Sequence, residues 1–408
     1  MSFHEITGGV CAAQGFRAGG IHCGVKASSS PDKNDLAMIL SDKECTAAGV
    51  YTLNRVKAAP IYVTMGHLED GAAWGIVANS GNANACCPGS HENAEAMCAA
   101  AAAATGRESR DFIVCSTGVI GQPINIGAIK TGMPRLAAAL SGDGSDSAAA
   151  AIMTTDTVKK EIALSFDVGG RTVRLGAIAK GSGMIHPNMG TMLCFITTDC
   201  AITQEMLEDA LRDVSAKTFN RVTVDGDTST NDTCVILANG MAGNPLIEWK
   251  DAGYEAFRAA LNHVCRHIAR AIAGDGEGAG RLVTCKVTGA RSEENAERLA
   301  KAVVGSSLVK AAMCGGDANW GRVLAAMGYS KAPFRPEHVD ISFRSEAGEI
   351  MVCGQGDGLP FDEGRAKEIL SQKEVVIDVD LHEGEDEAEC WGCDLTAEYV
   401  HINGDYRS

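Results

Sequence analysis

A mixed α/β fold is predicted by three features of the 408-residue sequence. Short runs of strand-forming residues (DLAMILSD, GVYTL, WGIVANS) alternate with glycine turns, while helical apolar spacing marks HENAEAMCAAAAAATG, INIGAIKTGMPRLAAALS and GYEAFRAALNHVCRHIARAIAG. The last third keeps a β–α–β rhythm, from RLVTCKVTGA through a helix over SEENAERLAKAVVGSSLVKAAM to strands that include EVVIDVDL and DLTAEYVHING. A boundary near Gly280 divides a main body, about residues 1–280, from a smaller C-terminal α/β domain, about residues 281–408. A single core seldom grows past about 250 residues, so the chain has room for both. HEGEDEAE reads as a solvated acidic turn.

Charge and cysteine usage narrow the class. With 52 acidic against 36 basic residues the net charge is −16, which opposes broad attraction to nucleic acid or anionic lipid. The N-terminus lacks an apolar core of secretory type, and AMCAAAAAATG is too short and too weakly apolar to span a bilayer, so a cytoplasmic protein is expected. The 16 cysteines mostly sit inside apolar runs such as FIVCS, MLCFI and DTCVIL, as small buried residues of a reducing compartment do. Cys390 and Cys393 in ECWGC lack a second pair at zinc spacing and read as a strand with two inward thiols. His263 and His267 share a helix face at i and i+4, without the glutamate of a zincin motif, so no metal site is expected.

The stretch KGSGMIHPNMGTMLCFITTD, Lys180 to Asp199, changes halfway from small, polar and glycine-rich to an apolar run. TMLCFI suits a strand covered on both faces, headed by Thr191. Gly190 leaves room for the Thr191 hydroxyl to fold back on the preceding carbonyl. Attack there would turn the peptide into an ester that water opens, freeing a chain that begins at Thr191. Its α-amine, with a pKa of about 8, can be partly neutral near pH 7 and activate its own hydroxyl. By spacing alone, a threonine capping a turn before a strand is the simpler account, because Gly-Thr pairs are common in turns. His186, near this seam in MIHPN, is expected to pack in a tight His-Pro turn.

The same stretch resembles the KGSGMIHPNMATML signature of the ornithine acetyltransferase / glutamate N-acetyltransferase family of arginine biosynthesis. The resemblance runs over nearly the whole chain through LNRVKAAP, VANSGNANAC, STGVIG, MTTDT, FNRVTVDGDTSTNDT, GDGEGA, GGDANWGR and EYVHING. It implies a layered α-β-β-α sandwich with a smaller C-terminal domain, and a precursor that cuts itself between Gly190 and Thr191. The pieces, residues 1–190 and 191–408, would assemble as a heterotetramer of two of each. It implies acetyl transfer from N-acetylornithine to glutamate through acetylated Thr191, without an external cofactor, and with acetyl-CoA as a further co-substrate in some members. The usual alanine before the nucleophile is Gly190 here, and the usual ADYTT ending is GDYRS.

Carried over residue by residue, the resemblance places an oxyanion hole at Thr117 and Gly118 and substrate contacts at Thr154, Lys180, Thr191, Glu277, Asn403 and Ser408. The Gly118 N–H and the Thr117 hydroxyl suit negative charge on a tetrahedral intermediate. Lys180 suits an α-carboxylate and Thr154 a hydroxyl contact, although MTTDT taken alone reads first as a helix-capping threonine. Glu277 lies in GDGEGAG, which follows a helix and precedes a strand and carries two acids. That order is wrong for a phosphate loop, which opens a helix, and right for binding an amine or for an acidic helix-ending turn. Asn403 and Ser408 require the C-terminal tail to return to the site, led by a strand-like EYVHI. An N-terminal-nucleophile hydrolase or aminopeptidase and a non-catalytic binding protein are the alternative readings.

Overall fold

The computed structural model describes residues 3–25, 30, 32–186 and 192–405. In chain order the elements are β1 (His4–Ile6), β2 (Phe16–Ile21), β3 (Leu36–Tyr51), α1 (Ala59–His67), β4 (Ala72–Asn79), α2 (Ser90–Thr105), β5 (Phe112–Ser116), α3 (Ile126–Ala138), α4 (Ser145–Ile152), β6 (Lys160–Val168), β7 (Arg171–Lys180), β8 (Leu193–Thr198), α5 (Gln204–Lys217), β9 (Thr233–Ala238) and α6 (Ala252–Gly274). There follow β10 (Leu282–Ala290), α7 (Glu293–Gly305), α8 (Ser307–Gly315), α9 (Trp320–Tyr329), β11 (Asp340–Ser345), β12 (Gly348–Gly354), β13 (Asp357–Gly358), α10 (Glu363–Leu370), β14 (Glu374–Asp380), β15 (Asp386–Cys393) and α11 (Ala397–Gly404). Two compact units result: residues 1–181, 187–220 and 228–268 form the first, and residues 182–186, 221–227 and 269–408 the second.

The first unit is an α-β-β-α sandwich whose two β-layers share one long strand. β3 pairs with β2 and β4 over its first half and with β9 over its second, and its register against β4 shifts between Leu40 and Cys45. A break of that kind bends a strand. One layer is β2-β3-β4-β5, the other β1-β6-β7-β8-β9-β3. Period-two alternation then sorts side chains by face. Ala37 and Ile39 of β3, Leu193 and Phe195 of β8 and Val235 and Leu237 of β9 meet in the interior core, whereas Leu36, Met38 and Leu40 join residues of α1, α2 and α3 outside it. On the opposite outer face Phe166 packs against Phe257 of α6 at 6.4 Å between ring centroids, and α5 lies against β3. Every residue of β8 is buried, which explains its unbroken apolar sequence.

The second unit is built on a six-stranded sheet ordered β13-β12-β11-β14-β10-β15, in which only β10 and β14 run parallel. Val283, Cys285 and Val287 of β10 share a core with Leu299 and Val303 of α7 and Ile369 of α10.

Three predicted segments differ in detail. EYVHING is not a strand but helix α11. The i, i+4 spacing explains it: Tyr399 and Asn403 fall on one helix face, and both reach acidic partners from it. The helix expected over SEENAERLAKAVVGSSLVKAAM is two, because Ser306 adopts extended backbone and its hydroxyl accepts from Val309 N–H, which starts α8. HEGEDEAE runs from a turn into β15, which begins at Asp386. Cys390 and Cys393 are both buried in that strand, yet their odd spacing gives them different neighbours: Cys390 joins the sheet core and Cys393 meets the Lys310 ammonium.

Candidate active site

In the first unit, strand register gathers the chemistry at the head of β8. Lys180, the last residue of β7, pairs with Leu193, and Leu193 pairs with Thr233, the first residue of β9. The Thr233 N–H donates to the Met192 carbonyl at 2.8 Å. Gly190 and Thr191 lie outside the described residues. Asn231 ties the same place to the end of β5: its side-chain amide donates to the Ala83 carbonyl at 2.7 Å and the Ser116 carbonyl at 2.8 Å.

Thr117 and Gly118 directly follow that end of β5. An asparagine lattice shapes their loop. Ser116 Oγ donates to Asn79 Oδ1 at 2.7 Å, the Thr117 N–H to the Asn79 carbonyl at 3.0 Å, and the Asn82 amide to the Gln122 carbonyl at 3.1 Å. This explains VANSGNANAC, in which asparagines do work that backbone alone cannot. Gly118 has φ +133°, a conformation that favours glycine, and a Cβ there would stand 2.4 Å from the Gly81 carbonyl carbon. Its N–H donates to no acceptor among the described residues.

Sequence reasoning missed Asp156, although it stands within MTTDT. Its carboxylate is buried and accepts from Lys160 Nζ at 2.8 Å, the Gly181 N–H at 2.7 Å and the Thr154 N–H at 3.1 Å. Lys180 Nζ lies 3.9 Å away, beyond hydrogen-bond reach. Asp156 thus fixes the Lys180 charge electrostatically, and among the described residues the buried ammonium makes no hydrogen bond that would occupy its donors. Thr154 follows the end of α4, so it caps no helix start, and its carbonyl accepts from Lys33 Nζ at 2.8 Å.

Burial alone would raise the Asp156 carboxyl, but Lys180, Lys160 and the Gly181 N–H outweigh it and hold the group at about 2, below its usual 3.8. A depressed folded-state value stabilises the protein above the unfolded pKa and is lost as pH falls through the folded one. The expected outcome is a loss on the order of 2 kcal/mol between pH 4 and 2 that Asp156→Asn no longer shows. Urea unfolding of both proteins across that range measures it.

Asp232 was likewise missed. It abuts the wholly buried strand TCVILA, and a carboxylate directly against such a run was the available signal. The residue is 2% exposed, its Oδ2 has no hydrogen-bond partner among the described residues, and burial pushes its carboxyl well above the ordinary range despite the Ser229 and Thr52 hydroxyls and Lys180.

In the second unit Glu277 and Asn403 come together: Asn403 Nδ2 donates to Glu277 Oε2 at 2.7 Å. The Glu277 N–H donates to the Ser182 carbonyl at 3.1 Å, and Ser182 Oγ to the Asp275 carbonyl at 2.7 Å. Gly183 is the residue that permits this packing, since a Cβ there would lie 2.3 Å from the Glu277 carboxyl carbon. Asp225, another unpredicted residue, accepts from the N–H groups of Met184 at 2.6 Å and Ile185 at 2.9 Å. His186 contacts Thr223 Oγ1 at 3.0 Å, and burial together with the Lys301 charge holds its pKa below the ordinary value. Ser408 lies outside the described residues.

His263 lies 3.6 Å from Glu5 and stacks near Phe3. Among the described residues no group of three His, Cys, Asp or Glu is placed to hold a metal ion, and no helix is long and apolar enough to cross a membrane.

Lys180, Asp156 and Asp232 gather a buried ammonium and two buried acids around this strand end, and the chain's relatives define the class: an enzyme that moves acyl groups. The ArgJ family profile matches residues 17–408. The arginine biosynthesis bifunctional protein ArgJ of Symbiobacterium thermophilum is 51% identical over 405 residues, 99% of each chain. The glutamate N-acetyltransferase of Methanocaldococcus jannaschii is 45% identical over 411 residues, 98% of this chain and 99% of its own. The solved arginine biosynthesis bifunctional protein argJ of Bacillus halodurans is 43% identical, with a TM-score of 0.49, over 52% of this chain and 97% of its own. The chain belongs to the ArgJ family.

Proposed function

We propose that the chain is a glutamate N-acetyltransferase that passes the acetyl group of N-acetylornithine to glutamate through an ester on Thr191. Membership of the ArgJ family supports the reaction. The observation that carries it is the convergence at the head of β8 of Lys180 and of Asn231, which tethers the Ser116–Thr117–Gly118 segment.

Cleavage of the Gly190–Thr191 bond frees the α-amine of Thr191. That amine takes the proton of its own hydroxyl, and the oxygen attacks the acetyl carbonyl. The Gly118 N–H and the Thr117 hydroxyl stabilise the oxyanion, ornithine departs with the proton, and the ester remains. The α-amine of glutamate then attacks the ester, and N-acetylglutamate leaves as the hydroxyl is restored. Lys180 holds a substrate α-carboxylate, Glu277 and Asn403 an amino group, and Thr154 and Ser408 complete the contacts. No external cofactor enters this cycle, and acetyl-CoA is a candidate second donor. The working form is a cytoplasmic heterotetramer of two 1–190 and two 191–408 chains.

Incubation with N-acetylornithine, with and without glutamate, tests the reading. Sustained ornithine release is expected only with glutamate. Equal release without it would make the protein a hydrolase and overturn the assignment.

A further inference from the structure

Three charged side chains share one buried cluster in the first unit, and their charges do not balance. Asp156 meets Lys160, the first residue of β6, and Lys180, the last of β7, and all three are buried. One carboxylate against two ammonium groups leaves a positive charge over. A buried charge without a counter-charge is costly, so one that is kept calls for a role. The cluster is also lopsided. Asp156 Oδ1 accepts from Lys160 Nζ at 2.8 Å and from the Gly181 N–H at 2.7 Å, and Oδ2 accepts from the Thr154 N–H at 3.1 Å. Lys180 Nζ stays 3.9 Å from Oδ2 and donates to no acceptor among the described residues. Asp232, the other acid on which the Lys180 charge acts, is buried as well, and burial disfavours its ionised form.

We propose that Lys160 is a positioning residue for the substrate carboxylate: by neutralising Asp156 it keeps Lys180 out of a closed ion pair and leaves that ammonium free for the ligand. The proposal rests on the reading of Lys180 as the group that holds an α-carboxylate. Lys160 itself cannot be a ligand contact, because its side chain has no exposed surface. It acts through Asp156, and its place is fixed by register, since it pairs with Ala179, the neighbour of Lys180 on β7.

Removing Lys160 would leave Asp156 with Lys180 as its remaining cation. A shift of about 1 Å would then turn their 3.9 Å approach into a charge-assisted hydrogen bond. That pair is neutral, and an incoming carboxylate would compete with Asp156 for the same ammonium. With Lys160 in place the ligand instead completes the cluster, two carboxylates against two ammonium groups, and every buried charge has a partner. The excess charge is thus held in reserve for an anion, and the aspartate that could cancel it is occupied by a second lysine.

Calorimetric titration with ornithine tests this on wild type, Lys160→Met, Lys160→Gln, Lys180→Met and the double variant Asp156→Asn/Lys160→Met. Each Lys160 single variant is expected to weaken binding about 10- to 100-fold, the range for a hydrogen bond to a charged group. Gln keeps a donor for Asp156 but not the charge, so it should fail as Met does. The double variant removes the carboxylate together with its counter-ion and leaves Lys180 alone, and it is expected to recover to within about fivefold of wild type. A Lys160 that only supports the fold predicts the reverse, since two substitutions then harm the site at least as much as one. Binding within about threefold of wild type in both Lys160 single variants, or a double variant that melts like wild type yet binds as weakly as they do, would overturn the proposal. If Lys160→Met does not fold, Lys160→Gln and the double variant make the same comparison. Wild-type affinity in Lys180→Met would instead remove the carboxylate reading on which the proposal rests.

Discussion

Thr191→Ala is expected to give one uncut chain of 408 residues in place of pieces of 190 and 218, and to lower acetyl transfer by at least about 10⁴-fold. The magnitude follows from losing two functions in one atom. Without Oγ there is no nucleophile for the acetyl group and none for the Gly190 carbonyl, and an uncut residue 191 keeps an amide nitrogen that is not a base. A free α-amine has a pKa of about 8 and can accept the hydroxyl proton, whereas the amide cannot. The fold should survive, because β8 is anchored from Leu193 onward by β7 and β9 and every residue of it is buried. Thermal melting within a few degrees of wild type, intact mass and the glutamate-dependent assay measure the three parts. Thr191→Ser keeps the oxygen and should still be cut.

What the sequence revealed depended on how far apart the interacting residues stand. The apolar run of β8, the glycine turn at Gly118 and the helix-ending acidic loop at Glu277 are local patterns, and each lies in the structure where its pattern puts it. Asn231 was opaque because its partners Ala83 and Ser116 are 148 and 115 positions away, and a polar stretch such as STNDT has the composition of an ordinary turn. Asp156 was hidden the same way: MTTDT gives no hint that its acid meets Lys160 and Lys180 in a closed interior. EYVHING misled because aromatic and β-branched residues favour strands, while contacts from Tyr399 and Asn403 selected a helix. Local propensity thus located the reactive loops, and long-range satisfaction of polar groups determined which acids and amides serve them.

Gly118→Ala should show how tightly that service is built. The glycine sits at φ +133°, and an added Cβ would stand 2.4 Å from the Gly81 carbonyl carbon and 2.5 Å from the Asn82 nitrogen. Both are backbone atoms, so no side chain can swing aside; either the Gly81–Asn82 segment or the Gly118 peptide must move. Strain of this kind costs about 1–3 kcal/mol, and overpacking against a fixed wall costs as much again. The loop cannot relax freely, because Asn82 is tied to Gln122, and Asn79 to Ser116 and Thr117. Any shift turns the Gly118 N–H, which donates to no acceptor among the described residues, and loss of an oxyanion donor lowers turnover by about 10²–10³-fold. The expected result is therefore a cut or partly cut enzyme with a depressed melting temperature, kcat reduced by that factor and KM for N-acetylornithine within about threefold of wild type. A fall in KM-dependent binding with kcat preserved would mean that this N–H grips ground-state substrate and not the tetrahedral intermediate, since only an interaction made in the transition state changes kcat alone.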